Sequence, residues 1–134
     1  MIFADTGYFV ALTEPRDGLH DRAVRWSRTI KEQVLVTEYV AWELVNALSD
    51  PNDRSKAHFW IEQFFTKPGF EFVPASMPIF QAGRELHAAR PDKAWSLTDC
   101  TSFVVMKDWG LTRALSFDHH FEQAGFEALL RRDP

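Results

Sequence analysis

Short apolar runs alternate along this 134-residue chain with longer segments in which apolar residues recur at helical spacing. The apolar runs are predicted to be five strands, at 2–4, 34–36, 70–73, 111–117 and 126–130. Spacing, caps and stop signals predict helices at 6–12, 18–30, 37–48, 54–66, 76–89 and 98–109, and a helical turn at 119–124. Strands that alternate with helices are typical of a mostly parallel sheet covered on both faces. The sequence therefore predicts an α/β fold, in one domain that spans residues 1–134.

Four acidic residues stand at strand ends or inside helical segments. Asp5 and Asp118 end the first and fourth predicted strands, Glu43 lies in the helix at 37–48, and Asp99 opens the helix near 98. In open parallel sheets, ligands bind beyond the carboxyl ends of the strands, so these acids are expected to converge there. Clustered carboxylates repel one another, and a fold that gathers them usually supplies a hard cation. The pattern predicts a site for Mg²⁺ or Mn²⁺.

Each acid also has an ordinary structural explanation. Asp is a common helix N-cap, and this use accounts for Asp5, Asp99 and Asp118 one at a time. Glu43 is harder to explain, because it borders an apolar helical stripe and a bare buried carboxylate costs several kcal/mol. The predicted stripe consists of Val40, Leu44, Ala47 and Leu48. A buried Glu–Arg pair, or a position at the edge of the stripe, is the alternative for Glu43.

Other polar side chains near the acids are weaker candidates. The hydroxyls of Thr6 and Ser116 lie beside two of the acids, where they could orient a carboxylate or a metal-bound water. His119 and His120 are predicted not to share one site, because adjacent residues on a helical turn face different directions. Cys100 is predicted to belong to the core.

Several bulky residues are predicted to pack inward. Trp26, Trp42 and Trp60 are each expected in the core rather than at an interface. In the helix at 76–89 the inward-facing residues are predicted to be Ile79, Phe80, Gly83 and Leu86.

Charge and composition exclude some functions. The formal net charge is −4, with 19 acidic residues against 15 Lys and Arg, so binding of nucleic acid by general charge attraction is not expected. No apolar stretch approaches the length of a membrane span, and no basic segment before an apolar run marks a signal peptide. The single Cys cannot form an internal disulfide, which fits a cytoplasmic protein.

Four segments resemble the acidic motifs of PIN-domain ribonucleases, and in particular the VapC-type toxins of bacterial toxin–antitoxin pairs. The segments are IFADT at 2–6, VTEYVAWEL at 36–44, WSLTDC at 95–100 and LSFDHHFEQAGF at 115–126. The resemblance spans nearly the whole chain, in order. It implies a three-layer α/β/α sandwich around a five-stranded, mainly parallel sheet.

The resemblance also implies which residues act. It assigns catalytic and metal-binding roles to Asp5, Glu43, Asp99 and Asp118, and matches Thr6 and Ser116 to the hydroxyl positions beside them. It implies a Mg²⁺- or Mn²⁺-dependent endoribonuclease that forms a homodimer and is inhibited by a cognate antitoxin. One departure stands out: many relatives carry a further acid two residues after the fourth motif acid, and this chain has His120 there.

Two other functions remain as alternatives. A phosphohydrolase of the haloacid-dehalogenase kind would need a second Asp two residues after the first, and position 7 is Gly. A phospho-receiver domain would need paired acids near its first strand and a late Lys, and neither is clear. A non-catalytic PIN-like module that binds protein or RNA is the other alternative, although retention of all four acids argues against it.

Overall fold

The computed structural model describes all 134 residues as five strands and seven α-helices. The strands are β1 (Ile2–Ala4), β2 (Val34–Thr37), β3 (Phe70–Val73), β4 (Arg113–Leu115) and β5 (Glu127–Ala128). The helices are α1 (Thr6–Thr13), α2 (His20–Thr29), α3 (Glu38–Ala47), α4 (Arg54–Thr66), α5 (Met77–Ala89), α6 (Leu97–Asp108) and α7 (His119–Gln123). A 3₁₀ turn, Leu129–Arg131, follows β5. No helix is both long enough and apolar enough to cross a membrane.

The five strands form one sheet in the order β3-β2-β1-β4-β5, and every neighbouring pair is parallel. β1 lies in the centre, where Phe3 pairs with Leu35 of β2 on one side and with Ala114 of β4 on the other. The chain builds outward through β2 and β3, then crosses to the opposite side of β1 for β4 and β5. The predicted α/β sandwich with a parallel sheet is confirmed. The reversal of direction places a crevice at the carboxyl ends of β1 and β4.

The core is rich in aromatic side chains that pack on the central strand and its helices. Phe9 of α1 lies against Trp60 and Phe64 of α4, with ring centroids 5.1 and 4.9 Å apart. Phe121 of α7 packs against Phe3 of β1, with ring centroids 6.0 Å apart. Each fully buried ring contributes about 1.5–3 kcal/mol through the area it removes from water. These contacts hold α1 and α7 against the sheet, next to the β1–β4 crevice.

Several predicted element boundaries are wrong. β4 is shorter than 111–117, because the Leu111 amide still bonds the Met106 carbonyl of α6, 2.8 Å away. The last predicted strand, 126–130, shortens to two residues and becomes a 3₁₀ turn, whose Leu130 amide bonds the Ser116 carbonyl at 3.1 Å. α2 begins at His20 rather than at 18, after a turn in which the Asp17 carboxylate accepts from the Leu19 amide at 2.8 Å.

The predicted inward faces of two helices are partly wrong. In α3, Val40, Ala41, Leu44 and Leu48 are buried, whereas Ala47 is exposed and Trp42 is 71% exposed. Successive residues are about 100° apart around a helix, so the four buried residues define one face of α3. Ala47 lies outside that face, and Glu43 lies at its edge. In α5, Gly83 is buried as predicted, but Phe80 is exposed. Trp26 and Cys100 lie in the core as predicted, and Trp60 packs partly buried against it.

Gly83 is a position where α5 and α6 approach closely. A Cβ atom built at Gly83 would lie 2.6 Å from Thr101 Cγ2 and 3.3 Å from the Thr101 backbone. We expect Gly83→Ala to lower the free energy of unfolding by about 1–3 kcal/mol, because even one methyl group overpacks this contact. Chemical denaturation measures the change. Gly7→Ala is the matched control, since Gly7 is also helical and has open space around its Cβ position. Equal stability of the two variants would contradict the close packing of α5 on α6.

Candidate active site at the carboxyl edge of the sheet

Asp5 and Ser116 follow the two central strands, and the pairing of those strands brings them together. The Asp5 amide donates to the Leu115 carbonyl at 3.2 Å, which continues the β1–β4 ladder by one bond. The Ser116 hydroxyl donates to Asp5 Oδ2 at 3.1 Å and accepts from the Asp118 amide at 3.0 Å. Because Ser116 is buried, its hydroxyl holds both the Asp5 carboxylate and the Asp118 backbone amide in place. The hydrogen bond to Asp5 is the contact that a residue orienting the Asp5 carboxylate would make, and the role of Ser116 in the site stays a prediction.

Asp5 stands at the N-cap position of α1, yet its side chain makes no capping hydrogen bond. Burial, together with the negative charges of Glu43 and Asp99, raises the pKa of Asp5 to about 7. Hydrogen bonds from the Thr6 backbone and from Ser116 act in the opposite direction and do not compensate. The cap explanation is therefore wrong for Asp5, and its carboxylate lies within electrostatic reach of two of the other three acids.

Asp99 serves both its helix and the site. Ser96 is the N-cap of α6, and Asp99 closes a capping box: its amide donates to Ser96 Oγ at 3.0 Å, and its Oδ2 accepts from the Ser96 amide at 3.0 Å. The same Oδ2 also accepts from His120 Nδ1 at 2.9 Å. Asp99 is buried. Hydrogen bonds from two sides thus fix its carboxylate before any ligand arrives.

Asp118 caps α7, and His120 turns back over it. Asp118 Oδ1 accepts from the His120 amide at 2.9 Å and lies 3.3 Å from His120 Nδ1. The prediction that His119 and His120 do not share one site is wrong, because the ligand atoms of both histidines and of Asp118 all lie within 4.8 Å of one another. His119 is more exposed, with its Nδ1 3.6 Å from Asp118 Oδ1. The signal in the sequence was the position of His120, two residues after the fourth acid.

Glu43 lies half-buried on α3 and forms no ion pair with a Lys or Arg. The buried Glu–Arg alternative is therefore wrong, while the position at the edge of the apolar stripe is correct. Glu43 also lines a groove of about 520 Å³ together with Trp42 and Phe80. The sequence did not predict this groove, because it depends on the exposure of two aromatic rings that were expected in the core.

The carboxylates of the four acids are oxygen donors of the kind that a hard divalent cation prefers. The buried hydroxyl of Thr6, next to Asp5, has no hydrogen-bond partner in the protein, although buried polar atoms normally have one. Thr6 therefore orients no carboxylate, and its predicted contact with a bound water stays a prediction. Asp118, His119 and His120 form the one group of three residues with metal-ligating side chains whose ligand atoms all lie within 4.8 Å of one another. Cation binding by the four acids also remains a prediction.

This chain matches a protein family model, curated relatives and solved structures. The family model of the PIN domain matches residues 2–127. Two Mycobacterium tuberculosis proteins, from strains CDC 1551 and H37Rv, are described as 23S rRNA-specific endonuclease VapC20 and are each 29% identical over 129 residues. The match covers 94% of this chain and 95% of theirs.

The solved structures share the fold along almost the whole chain. The crystal structure of M. tuberculosis VapC20, described as a sarcin–ricin loop cleaving toxin, matches with a TM-score of 0.85 and 24% identity, covering 94% of this chain and 96% of that one. FitAcB from Neisseria gonorrhoeae matches with a TM-score of 0.71 and 20% identity, covering 96% of each chain. These matches show that the fold of this chain is shared with both proteins. The chain belongs to the PIN-domain family, and the predicted resemblance to its VapC-type members is confirmed.

The raised pKa of Asp5 predicts how the metal-free protein responds to pH. The native state holds this proton more tightly than the unfolded chain, where the pKa is near 3.8. The stabilising contribution is therefore complete below pH 3.8 and is lost as pH rises through about 7, by at most about 4 kcal/mol. We expect the free energy of unfolding, measured in chelator, to fall more between pH 5 and 8 for wild type than for Asp5→Asn.

The comparison needs a control for the loss of a charge. Asp108→Asn removes an exposed acid at the end of α6 and should leave the wild-type pH profile unchanged. Parallel profiles for wild type and Asp5→Asn would show that Asp5 does not titrate in this range.

Proposed function

We propose that this chain is a Mg²⁺- or Mn²⁺-dependent endoribonuclease and the toxin of a type II toxin–antitoxin module. The observation that carries the proposal is the set of acids at the β1–β4 crevice of a PIN fold, where Glu43 and Asp99 act on the pKa of Asp5. The VapC20 relatives, which match along 94% of this chain, are described as 23S rRNA-specific endonucleases. We propose RNA as the substrate on the strength of that relationship.

Asp5, Glu43 and Asp99 would hold the cation directly, and Asp118 would hold it directly or through water. Mg²⁺ keeps several of its own waters, so four direct carboxylates on one ion are not expected. When bound, a divalent cation supplies positive charge beside the scissile phosphate and lowers the pKa of water.

The protein's own side chains prepare this site by fixing carboxylates in place. Ser116 holds Asp5, the Ser96 amide holds Asp99, and the Asp118 carboxylate is fixed by capping α7. Carboxylates that are already fixed lose little freedom when a cation binds. One of the carboxylates orients the attacking water, and hydrolysis leaves a 5′-phosphate and a 3′-hydroxyl.

Recognition of RNA is proposed to be local rather than by general charge. Several of the arginines already form ion pairs: Arg22 and Arg25 with Asp133, Arg131 with Glu122, and Arg132 with Glu127. Loops of RNA offer unstacked bases and an accessible backbone, which such a site needs. The sarcin–ricin loop is the first sequence to test, because the VapC20 structure is described as that of a toxin which cleaves it.

We expect purified protein with Mn²⁺ or Mg²⁺ to cut a sarcin–ricin loop RNA or another exposed RNA loop, and chelator to stop the reaction. Asp5→Asn, Glu43→Gln and Asp99→Asn should each lower the single-turnover rate by orders of magnitude, because each removes a charge from the acid group. Gel analysis of end-labelled RNA measures the rate and identifies the ends. Asp108→Asn is the matched control and should cut at the wild-type rate.

An acid-site variant that cuts as fast as wild type would contradict this assignment and point to a contaminating nuclease. A panel of RNAs is required, since narrow specificity would leave any one RNA uncut. A non-catalytic PIN-like module would bind RNA or protein and cut none of the panel.

The antitoxin is proposed to cover the acidic edge of the sheet. The groove beside Glu43 combines apolar side chains of Trp42, Phe80 and Leu97 with the carboxylates of Glu38 and Glu43. An amphipathic segment that carries arginine complements such a surface, because the planar guanidinium binds carboxylates with two hydrogen bonds. Trp42, at 71% exposure, is the largest apolar surface available to that segment.

We expect expression of this chain alone to arrest bacterial growth, and co-expression of the small protein encoded immediately upstream to restore it. Trp42→Ala should weaken the rescue while growth arrest persists, since an exposed ring contributes little to folding but much to a buried interface. Phe59→Ala is the matched control: Phe59 is also exposed on a helix and does not line that groove. Growth arrest that persists in Asp99→Asn would contradict the nuclease mechanism.

Three further proposals, on oligomeric state, location and domain organisation, rest on fewer observations. A homodimer is proposed from the resemblance to VapC-type proteins, and light scattering of the purified protein tests it. A cytoplasmic location is proposed because the one cysteine is buried and free. We also propose that residues 1–134 form one independently folding domain.

A further inference from the structure

We propose that the Phe117 ring, supported by the Arg131 guanidinium, stacks on an unpaired base of the RNA next to the phosphate that is cleaved. The two side chains together are called the stacking platform below, and Phe117 is a positioning residue rather than a catalytic one. The proposal rests on the proposed function, because it describes how RNA is held at the same acidic crevice.

Phe117 lies in the chain between two residues of the site. Ser116, which precedes it, donates to the Asp5 carboxylate at 3.1 Å, and Asp118, which follows it, is the fourth acid. Ser116 is buried, whereas Phe117 is 45% exposed. Consecutive Cα atoms are only about 3.8 Å apart, so a base that stacks on this ring is close to a phosphate bound at the acids.

Arg131 reaches Phe117 because β4 and β5 are neighbours in the sheet. The Leu130 amide bonds the Ser116 carbonyl at 3.1 Å, which brings the turn after β5 alongside the end of β4. Arg131 Nη1 donates to the Phe117 carbonyl at 3.1 Å, and its guanidinium carbon lies over the ring, 5.1 Å from the centroid. Arg131 Nε also lies 2.8 Å from Glu122 Oε1. These contacts, which include a cation–π interaction, hold the ring in place before RNA binds.

The surface around the ring favours a base over a side chain of a protein partner. Phe117 lines none of the five cavities of the molecule, so no groove beside it would receive an inserted side chain. Stacking requires only an open, flat surface, and unpaired RNA bases stack on aromatic rings and guanidinium planes. Arg131 also adds a positive charge close to acids that repel the RNA backbone.

Single-turnover cleavage of an RNA loop measures the contribution of the ring. We expect Phe117→Ala to raise the half-saturating protein concentration by about 5- to 150-fold, the range that corresponds to the loss of one stacked base. The rate at saturation should change less than this concentration. Phe117→Tyr should keep the wild-type value, whereas Phe117→Leu, which is apolar but not planar, should resemble Phe117→Ala. Phe59→Ala is the matched control and should behave as wild type, because Phe59 is 57% exposed on α4.

A thermodynamic cycle identifies the stacked base without cleavage. In the Asp99→Asn background, fluorescence anisotropy measures the Kd of a panel of RNA loops, including the sarcin–ricin loop, in which each nucleotide in turn is made abasic. One abasic position should weaken binding as much as Phe117→Ala does. The same position should have no further effect once Phe117→Ala is present, because the interaction has already been removed.

An unchanged half-saturating concentration and an unchanged Kd in Phe117→Ala would overturn the proposal and leave the proposed nuclease intact. An effect of Phe117→Ala that no abasic position matches would overturn it too, since the ring would then support the fold or another contact. Weaker rescue by the antitoxin with an unchanged RNA Kd would assign the ring to a protein contact instead. If no RNA of the panel binds, both the stacking platform and the proposed RNA substrate are wrong.

Discussion

The parallel pairing of β1 with β4 is the constraint on which the site depends. These strands are more than a hundred residues apart in the chain, yet the Asp5 amide bonds the Leu115 carbonyl and Ser116 bonds the Asp5 carboxylate. Because β2 and β3 extend the sheet on the other side of β1, the direction of winding reverses at this pair and leaves an open crevice. The aromatic contacts of Phe9 and Phe121 keep α1 and α7 packed beside that crevice. A change that separated β1 from β4 would therefore disperse the acids as well as the sheet.

Gathering acids in the crevice creates an electrostatic cost that the protein only partly offsets. No Lys or Arg pairs with Asp5, Glu43 or Asp99, and the hydrogen bonds to Asp5 and Asp99 come from one hydroxyl, backbone amides and one imidazole. Neutral donors stabilise a carboxylate without cancelling its charge, so the field of the group persists, and burial raises the pKa of Asp5 to about 7. The negative potential that destabilises the metal-free protein is also what would attract a cation or a guanidinium. Stability and binding are opposed at this edge of the sheet.

Local signals in the sequence were sufficient to predict the order of strands and helices, the parallel sheet and the acids that follow β1 and β4. The spacing of apolar residues and the presence of capping residues depend only on neighbours a few positions away. They can therefore be interpreted without knowledge of the tertiary structure. The exposure of Trp42 and Phe80 was not predictable in this way, because the orientation of a helix face depends on what packs against it. His120 was misjudged for a related reason: its contact with Asp99 spans 21 residues and depends on α6 and α7 meeting.

From the sequence, helix capping and a place in the acidic site are alternative explanations for the same Asp residue. The structure shows that one carboxylate can cap a helix and also lie in the site. Asp99 completes the capping box of α6 while it accepts from His120, and Asp118 caps α7 beside the same imidazole. The reason is geometric: in a parallel sheet, the helix that follows a strand starts at the carboxyl edge, where ligands bind. The partial positive charge of a helix start also favours a carboxylate there. A capping acid after a strand in this fold is therefore no argument against function, and the side chain of Asp5, which stands at the N-cap position of α1, makes no capping hydrogen bond that would account for it.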